Sequence, residues 1–111
     1  SYILFSDQSK KKRRVSPNLL KKDGHPSFAK VNSTLMITDT YPNIKDNFKE
    51  ELIVYNFDDN KLNMIDKLNH ESYLAKSASR CDLHPKWSHD GKYVSVDTLD
   101  KGYRSIYLYE N

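Results

Sequence analysis

Cysteine is nearly absent from this sequence: Cys81 is the only one. That excludes an intrachain disulfide, a disulfide-stapled secreted scaffold and any CxxC zinc site. Glycine occurs three times and proline four, which excludes collagen-like and linker-like chains. Long apolar runs are missing too. The longest are four residues, as in Tyr2-Ile3-Leu4-Phe5, far short of the roughly 20 that a membrane helix needs. No stretch has the apolar length of a signal peptide. There is no Gly-rich phosphate loop, GxSxG elbow or HExxH motif, and Ser, His and Asp occur in no arrangement that argues for a triad. No catalytic residue is assigned. Charge of one sign is scarce: 18 basic and 15 acidic residues leave +3, too little to imply nucleic acid.

What is present points to a folded β-rich chain. At 111 residues the length suits one domain's worth of sequence. The chain is polar, with 30% charged residues and a mean hydropathy of −0.82. Yet aromatics reach 12%, eight of them Tyr, which argues against disorder throughout. The chain opens inside an apolar stretch without Met, and is expected to be a piece of a longer protein. The apolar pattern has period two. Strand-like stretches fall at 2–6, 33–38, 51–57, 92–98 and 104–109, each bounded by Asp, Asn, Gly, Ser or Pro. Two polar segments, 44–51 and 70–77, read equally as short helix or loop.

Internal repeats organise these strands. His25-Pro26-Ser27-Phe28-Ala29 matches His84-Pro85-Lys86-Trp87-Ser88 at an offset of 59 residues. Met36-Ile37-Thr38-Asp39-Thr40 matches Val94-Ser95-Val96-Asp97-Thr98 at 58, and Leu52-Ile53-Val54-Tyr55 matches Ile106-Tyr107-Leu108-Tyr109 at 54. The third pattern also opens the chain at Tyr2-Ile3-Leu4-Phe5. A four-stranded unit repeating every 55–60 residues or so is the mark of β-propeller blades. The expected fold is all-β, with antiparallel four-stranded blades of a partial propeller. Residues 1–22 would supply strands c and d of a preceding blade, with d near 13–19. Residues 23–68 would form a complete blade, and 69–111 a linker and strands a to c of the next. Gly91 suits a left-handed turn position, and Asn32 is expected to fill the equivalent place in the first copy. Phe28 and Trp87, at equivalent strand a positions, are expected in the core between blades.

The hairpin Trp87-Ser88-His89-Asp90-Gly91-Lys92-Tyr93-Val94 resembles the W-S-x-D-G-K-x-V hairpin of TolB-like β-propellers. Asp23-Gly24-His25-Pro26-Ser27-Phe28 and Arg80-Cys81-Asp82-Leu83-His84-Pro85-Lys86-Trp87-Ser88 resemble segments of oligogalacturonate lyases and related bacterial propellers. The likeness covers roughly residues 23–40 and 80–110. It implies a propeller that carries a manganese ion near its central channel and cleaves uronate chains by β-elimination. By position, His25 and His84 match that family's metal-ligating histidines. Asp82 stands where the family has another histidine, a departure that still offers an oxygen ligand for a hard cation. The family's base and its partner Arg have no match here.

The expected site is therefore a divalent metal, Mn²⁺ foremost, on His25, His84 and Asp82. Arg80, Arg104 and Tyr41 stand near loop ends as ligand-binding residues for a carboxylate sugar, Arg for its bidentate fork. The competing reading leaves both histidines as strand caps. Asp39 and Asp97, ending the two strand b copies, are expected to tie down the following loops through backbone N–H groups. The run Lys10-Lys11-Lys12-Arg13-Arg14 reads as a charged outer edge that blocks strand pairing, or as a patch for acidic glycan. Three functional expectations follow: a lyase-like protein acting on or binding acidic oligosaccharide, a non-catalytic TolB-like scaffold, or the propeller of a larger hydrolase. No membrane or nucleic-acid partner is expected, while exposed blade faces should favour self-association. The compartment stays open between bacterial periplasm and cytoplasm.

Overall fold

The computed structural model describes residues 1–6, 8–71, 74 and 78–110. It is all-β. β1 (Ile3–Phe5) and β2 (Lys12–Arg14) make a hairpin. β3 (Ser27–Phe28), β4 (Leu35–Asp39), β5 (Glu50–Asn56) and β6 (Lys61–Leu68) form a four-stranded sheet in chain order. β7 (Lys86–Trp87), β8 (Tyr93–Thr98) and β9 (Ser105–Glu110) form a three-stranded one. Every pairing is antiparallel. A 3₁₀ turn lies at Ile44–Asp46, capped by the Asn43 side chain on the Lys45 N–H. Of the two ambiguous segments, 44–51 therefore holds this turn and the start of β5. Segment 70–77 lies largely outside the described residues. Among the described residues no helix is long and apolar enough to cross a membrane.

The period-two pattern puts β4 and β5 to work on both faces. Ile37 pairs with Val54 and Met36 with Tyr55. Ile37, Leu52 and Leu68 join Leu83, Val94 and Val96 in one buried cluster, with Trp87, Tyr107 and Tyr109 packed against it. Met36 and Tyr55 face the other way, onto Val15 and Leu20, with Tyr2, Phe57 and Leu62 alongside. The four-stranded sheet thus lies between the hairpin and the three-stranded sheet. Leu52 and Leu83 are fully buried, each contributing about 1.5–3 kcal/mol of apolar burial. Trp87 reaches across by donating from Nε1 to the Ser27 carbonyl at 3.2 Å.

Three local expectations are corrected. The second strand of the hairpin ends at Arg14 rather than running through 13–19. Ser16 takes a positive φ of 37°, and its carbonyl accepts from Leu19 and Leu20 N–H, which turns Val15 and Leu20 into the core. Gly91 is left-handed at φ 72°, but Asn32 is absent from the positive-φ residues. Its side chain instead accepts from the Thr34 N–H at 3.1 Å and Thr34 Oγ1 at 2.6 Å, a local Asx-type turn that needs no left-handed residue. Phe28 does not share Trp87's burial: it is 42% exposed and stacks on Phe57 at 5.6 Å, whereas Trp87 packs against the cluster shared with the neighbouring sheet.

Candidate functional site

His25 and His84 precede the first strands of the two larger sheets, and the sheets bring them together. Their ring centroids lie 3.8 Å apart, tilted by 34°. Asp82 joins them, and one donor atom from each of the three lies within 4.8 Å of the others. Three donors spread evenly at about 2.0–2.3 Å from one ion lie at most about 4.0 Å from one another, so closure on one ion needs side-chain shifts of up to about an ångström. Two imidazoles and a carboxylate are an acceptable donor set for Mn²⁺ or a similar divalent ion.

The last residue of β4 underlies the pair. Asp39 is fully buried. Its Oδ1 accepts from the His25 backbone N–H at 2.6 Å, and its Oδ2 from the His84 backbone N–H at 3.0 Å. The His25 Nδ1 sits 3.1 Å from Oδ1 and 3.0 Å from Oδ2. His84 is held at φ 44°, a left-handed conformation awkward for a residue before proline. The Asp39 bond compensates part of that strain. Asp39 accepts backbone N–H groups as expected, but from His25 and His84 rather than from the loop that follows it, which is tied instead by Thr40 Oγ1 accepting from the Glu51 N–H at 2.9 Å. Asp97, its repeat partner, is exposed, and the loop after it is held instead by Thr98 Oγ1, which accepts from the Asp100 N–H at 3.0 Å.

Tyr41 and Arg80 extend the cluster. Tyr41 meets the His25 ring edge-on at 5.4 Å, and the Arg80 guanidinium lies 4.9 Å from the Tyr41 ring centre. Arg80 also grips Asp82, Nε 2.8 Å from Oδ1 and Nη2 3.0 Å from Oδ2. A cation or an anionic ligand arriving here therefore meets a carboxylate and a guanidinium already paired, and must exchange one partner for another. Arg104 takes a different place, donating from Nη2 to the Ser79 carbonyl at 3.2 Å, one residue before Arg80. Lys12, Arg13 and Arg14 form the exposed β2.

Two participants escaped the sequence reading. Glu50 begins β5 and is fully buried, with neither carboxylate oxygen hydrogen-bonded among the described residues. Burial pushes its carboxyl up to about 9, reinforced by the Asp82 and Asp39 charges, while Arg80 and the nearby Leu83 backbone work the other way. Gly24 presses against the Asp39 carbonyl so closely that a Cβ would sit 1.8 Å from that oxygen. The preceding Asp and the following His-Pro were the legible signals; the glycine's neighbour across the sheet was not. Burial raises the Cys81 thiol, opposed by Arg104, so the lone cysteine is a buried, unreactive group.

No protein-family model matches the chain, and no curated protein matches it.

Proposed function

We propose that the chain is the larger part of two neighbouring β-propeller blades with the last strands of a third, and that it binds a divalent cation, Mn²⁺ foremost, on His25, His84 and Asp82 for use with an acidic oligosaccharide. The observation that carries this reading is the meeting of two histidines 59 residues apart in sequence at 3.8 Å between ring centres. Repeat-equivalent residues converge when repeats are stacked around a common axis. The stacked sheets with strands in chain order support the blade arrangement. The resemblance to oligogalacturonate lyases suggests the use.

A bound cation would supply positive charge to a uronate carboxylate and to the carbanion-like transition state of β-elimination. The chain's own residues would orient the sugar. Tyr41 presents a ring beside His25, and Arg80 offers a planar fork that matches a carboxylate once it leaves Asp82. A non-catalytic scaffold would use the same groups to bind acidic sugar without cleaving it.

Titration calorimetry with MnCl₂ tests the cation. The chain should bind one ion, and His25→Ala and His84→Ala should each weaken binding at least tenfold. Affinity should fall in acid, because protons compete with the cation for the imidazole nitrogens. Variants with the parent's affinity would end the metal reading. An oligogalacturonide that binds without yielding an unsaturated uronate product would favour the scaffold.

The open edge of β9 supports self-association. Ile106 and Leu108 are 69% and 70% exposed on one face, and Arg104 and Glu110 flank them. Antiparallel pairing of β9 with β9 of a second copy, centred on Tyr107, sets Ile106 opposite Leu108 and Arg104 opposite Glu110 at both ends. Light scattering should show a dimer that Leu108→Lys dissolves. A strictly monomeric chain at high concentration would contradict it.

A further inference from the structure

We propose that Asp39 is the positioning residue of this site: its carboxylate takes the Nδ1–H of His25 and the backbone N–H of His84, fixing the tautomer of one histidine and the placement of the other. The proposal rests on the metal reading above only for its consequence, since the geometry stands without an ion.

Asp39 ends β4, the strand next to β3 in the sheet, so its carboxylate lies beneath the segment that carries His25. It is wholly buried, where a carboxylate persists only when donors surround it. Two are backbone N–H groups, from His25 at 2.6 Å and His84 at 3.0 Å. Neither can do anything but donate. The third contact, His25 Nδ1, lies 3.0–3.1 Å from both carboxylate oxygens. An ionised carboxylate only accepts, so Nδ1 carries the proton. A neutral imidazole protonated at Nδ1 keeps its lone pair on Nε2, on the far side of the ring from Asp39. That nitrogen is the one free to ligate. Carboxylate-to-histidine contacts of this kind set ring orientation and ligand basicity in metal sites.

The same carboxylate spans both sheets. His25 belongs to the segment entering the four-stranded sheet and His84 to the one entering the three-stranded sheet. Through the His84 N–H it also holds a residue at φ 44°, which would otherwise relax toward the extended backbone preferred before proline. Asp39 therefore sets both halves of the pair. The equivalent Asp97 is exposed, so the device belongs to the first repeat alone.

The direct test is the tautomer of His25 in the unsubstituted, metal-free chain, read from long-range ¹H–¹⁵N correlation spectra near pH 8. A pyrrole-like Nδ1 and a pyridine-like Nε2 are expected. A His25 found mainly as the Nε2–H form overturns the proposal without any variant. In Asp39→Asn the amide offers Nδ1 a donor, so the tautomer should reverse in the folded fraction and Mn²⁺ affinity fall about 10–100-fold. An unchanged tautomer in that variant would mean that Asp39 merely supports the backbone, and would overturn the proposal. If the parent shows the expected tautomer, lost in Asp39→Asn, yet binds no Mn²⁺, the metal reading fails and the assignment of Asp39 stands.

Discussion

Gly24→Ala is expected to destabilise the chain by at least about 3 kcal/mol, the upper range for overpacking a closely packed site. The new methyl carbon would lie 1.8 Å from the Asp39 carbonyl oxygen and 2.8 Å from both its carbonyl carbon and Oδ1. Two of those atoms are backbone at the end of the paired strand β4, so no rotamer change relieves the clash. The third accepts the hydrogen bond of the next residue, His25. The chain must either separate the 24–25 segment from β4 or distort β4 itself. Gly102→Ala makes the contrast. Gly102 has φ 86°, but a Cβ there would meet only Glu71 Oε1 at 3.5 Å, so about 1 kcal/mol of conformational strain is expected. Urea unfolding of both variants checks the ranking. Losses of equal size, or a Gly24→Ala loss under about 0.5 kcal/mol, would show that the close approach to Asp39 is not a constraint of the fold.

The second large effect is a pH dependence of stability that originates at Glu50. In the folded chain its carboxyl is pushed up to about 9 from an ordinary 4.5, first by burial and then by the Asp82 and Asp39 charges. The folded state therefore keeps a proton that the unfolded chain releases. Its contribution is fully present below 4.5 and is lost as pH rises toward about 9. Within that window one retained proton gives a slope approaching about 1.4 kcal/mol per pH unit. Between pH 5.5 and 7.5 the chain should lose about 2.7 kcal/mol from this group, while Glu50→Gln, neutral throughout, should lose none of it. Comparing the two slopes by urea unfolding cancels the titration of the four histidines. Parallel slopes would place a counter-charge beside Glu50 and contradict its isolation.

Much of the fold was legible because alternation of apolar and polar residues is a local signal. Tyr-Val-Ser-Val-Asp-Thr at β8 carries the period of two, burying Val94, Val96 and Thr98, and the repeat aligns it with β4. The histidine pair was legible for the same reason, since both stand before proline at equivalent repeat positions. What stayed hidden depends on packing between segments. Asn32 chose a side-chain turn over a left-handed backbone because Thr34 supplied donors two residues away. Phe28 and Trp87 occupy equivalent positions, yet only Trp87 has a sheet against it. Glu50 stood in a polar segment that read as helix or loop. The groups around its carboxyl come from Asp39 and from Arg80, Asp82 and Leu83, distant in sequence, which no local pattern announces. The grip of Arg80 on Asp82 joins residues two apart, a spacing visible in the sequence.

The central claim is that His25, His84 and Asp82 share one cation. Crystals of the chain grown with MnCl₂ and measured for anomalous scattering at the manganese edge test it most directly. The expected map holds one strong peak with an imidazole nitrogen of His25, an imidazole nitrogen of His84 and an Asp82 carboxylate oxygen each about 2.0–2.3 Å away, and Arg80 turned off at least one carboxylate oxygen. A map with no peak between the two rings at millimolar Mn²⁺, the imidazoles still stacked and Arg80 still paired with Asp82, would contradict it and leave both histidines as caps on their strands.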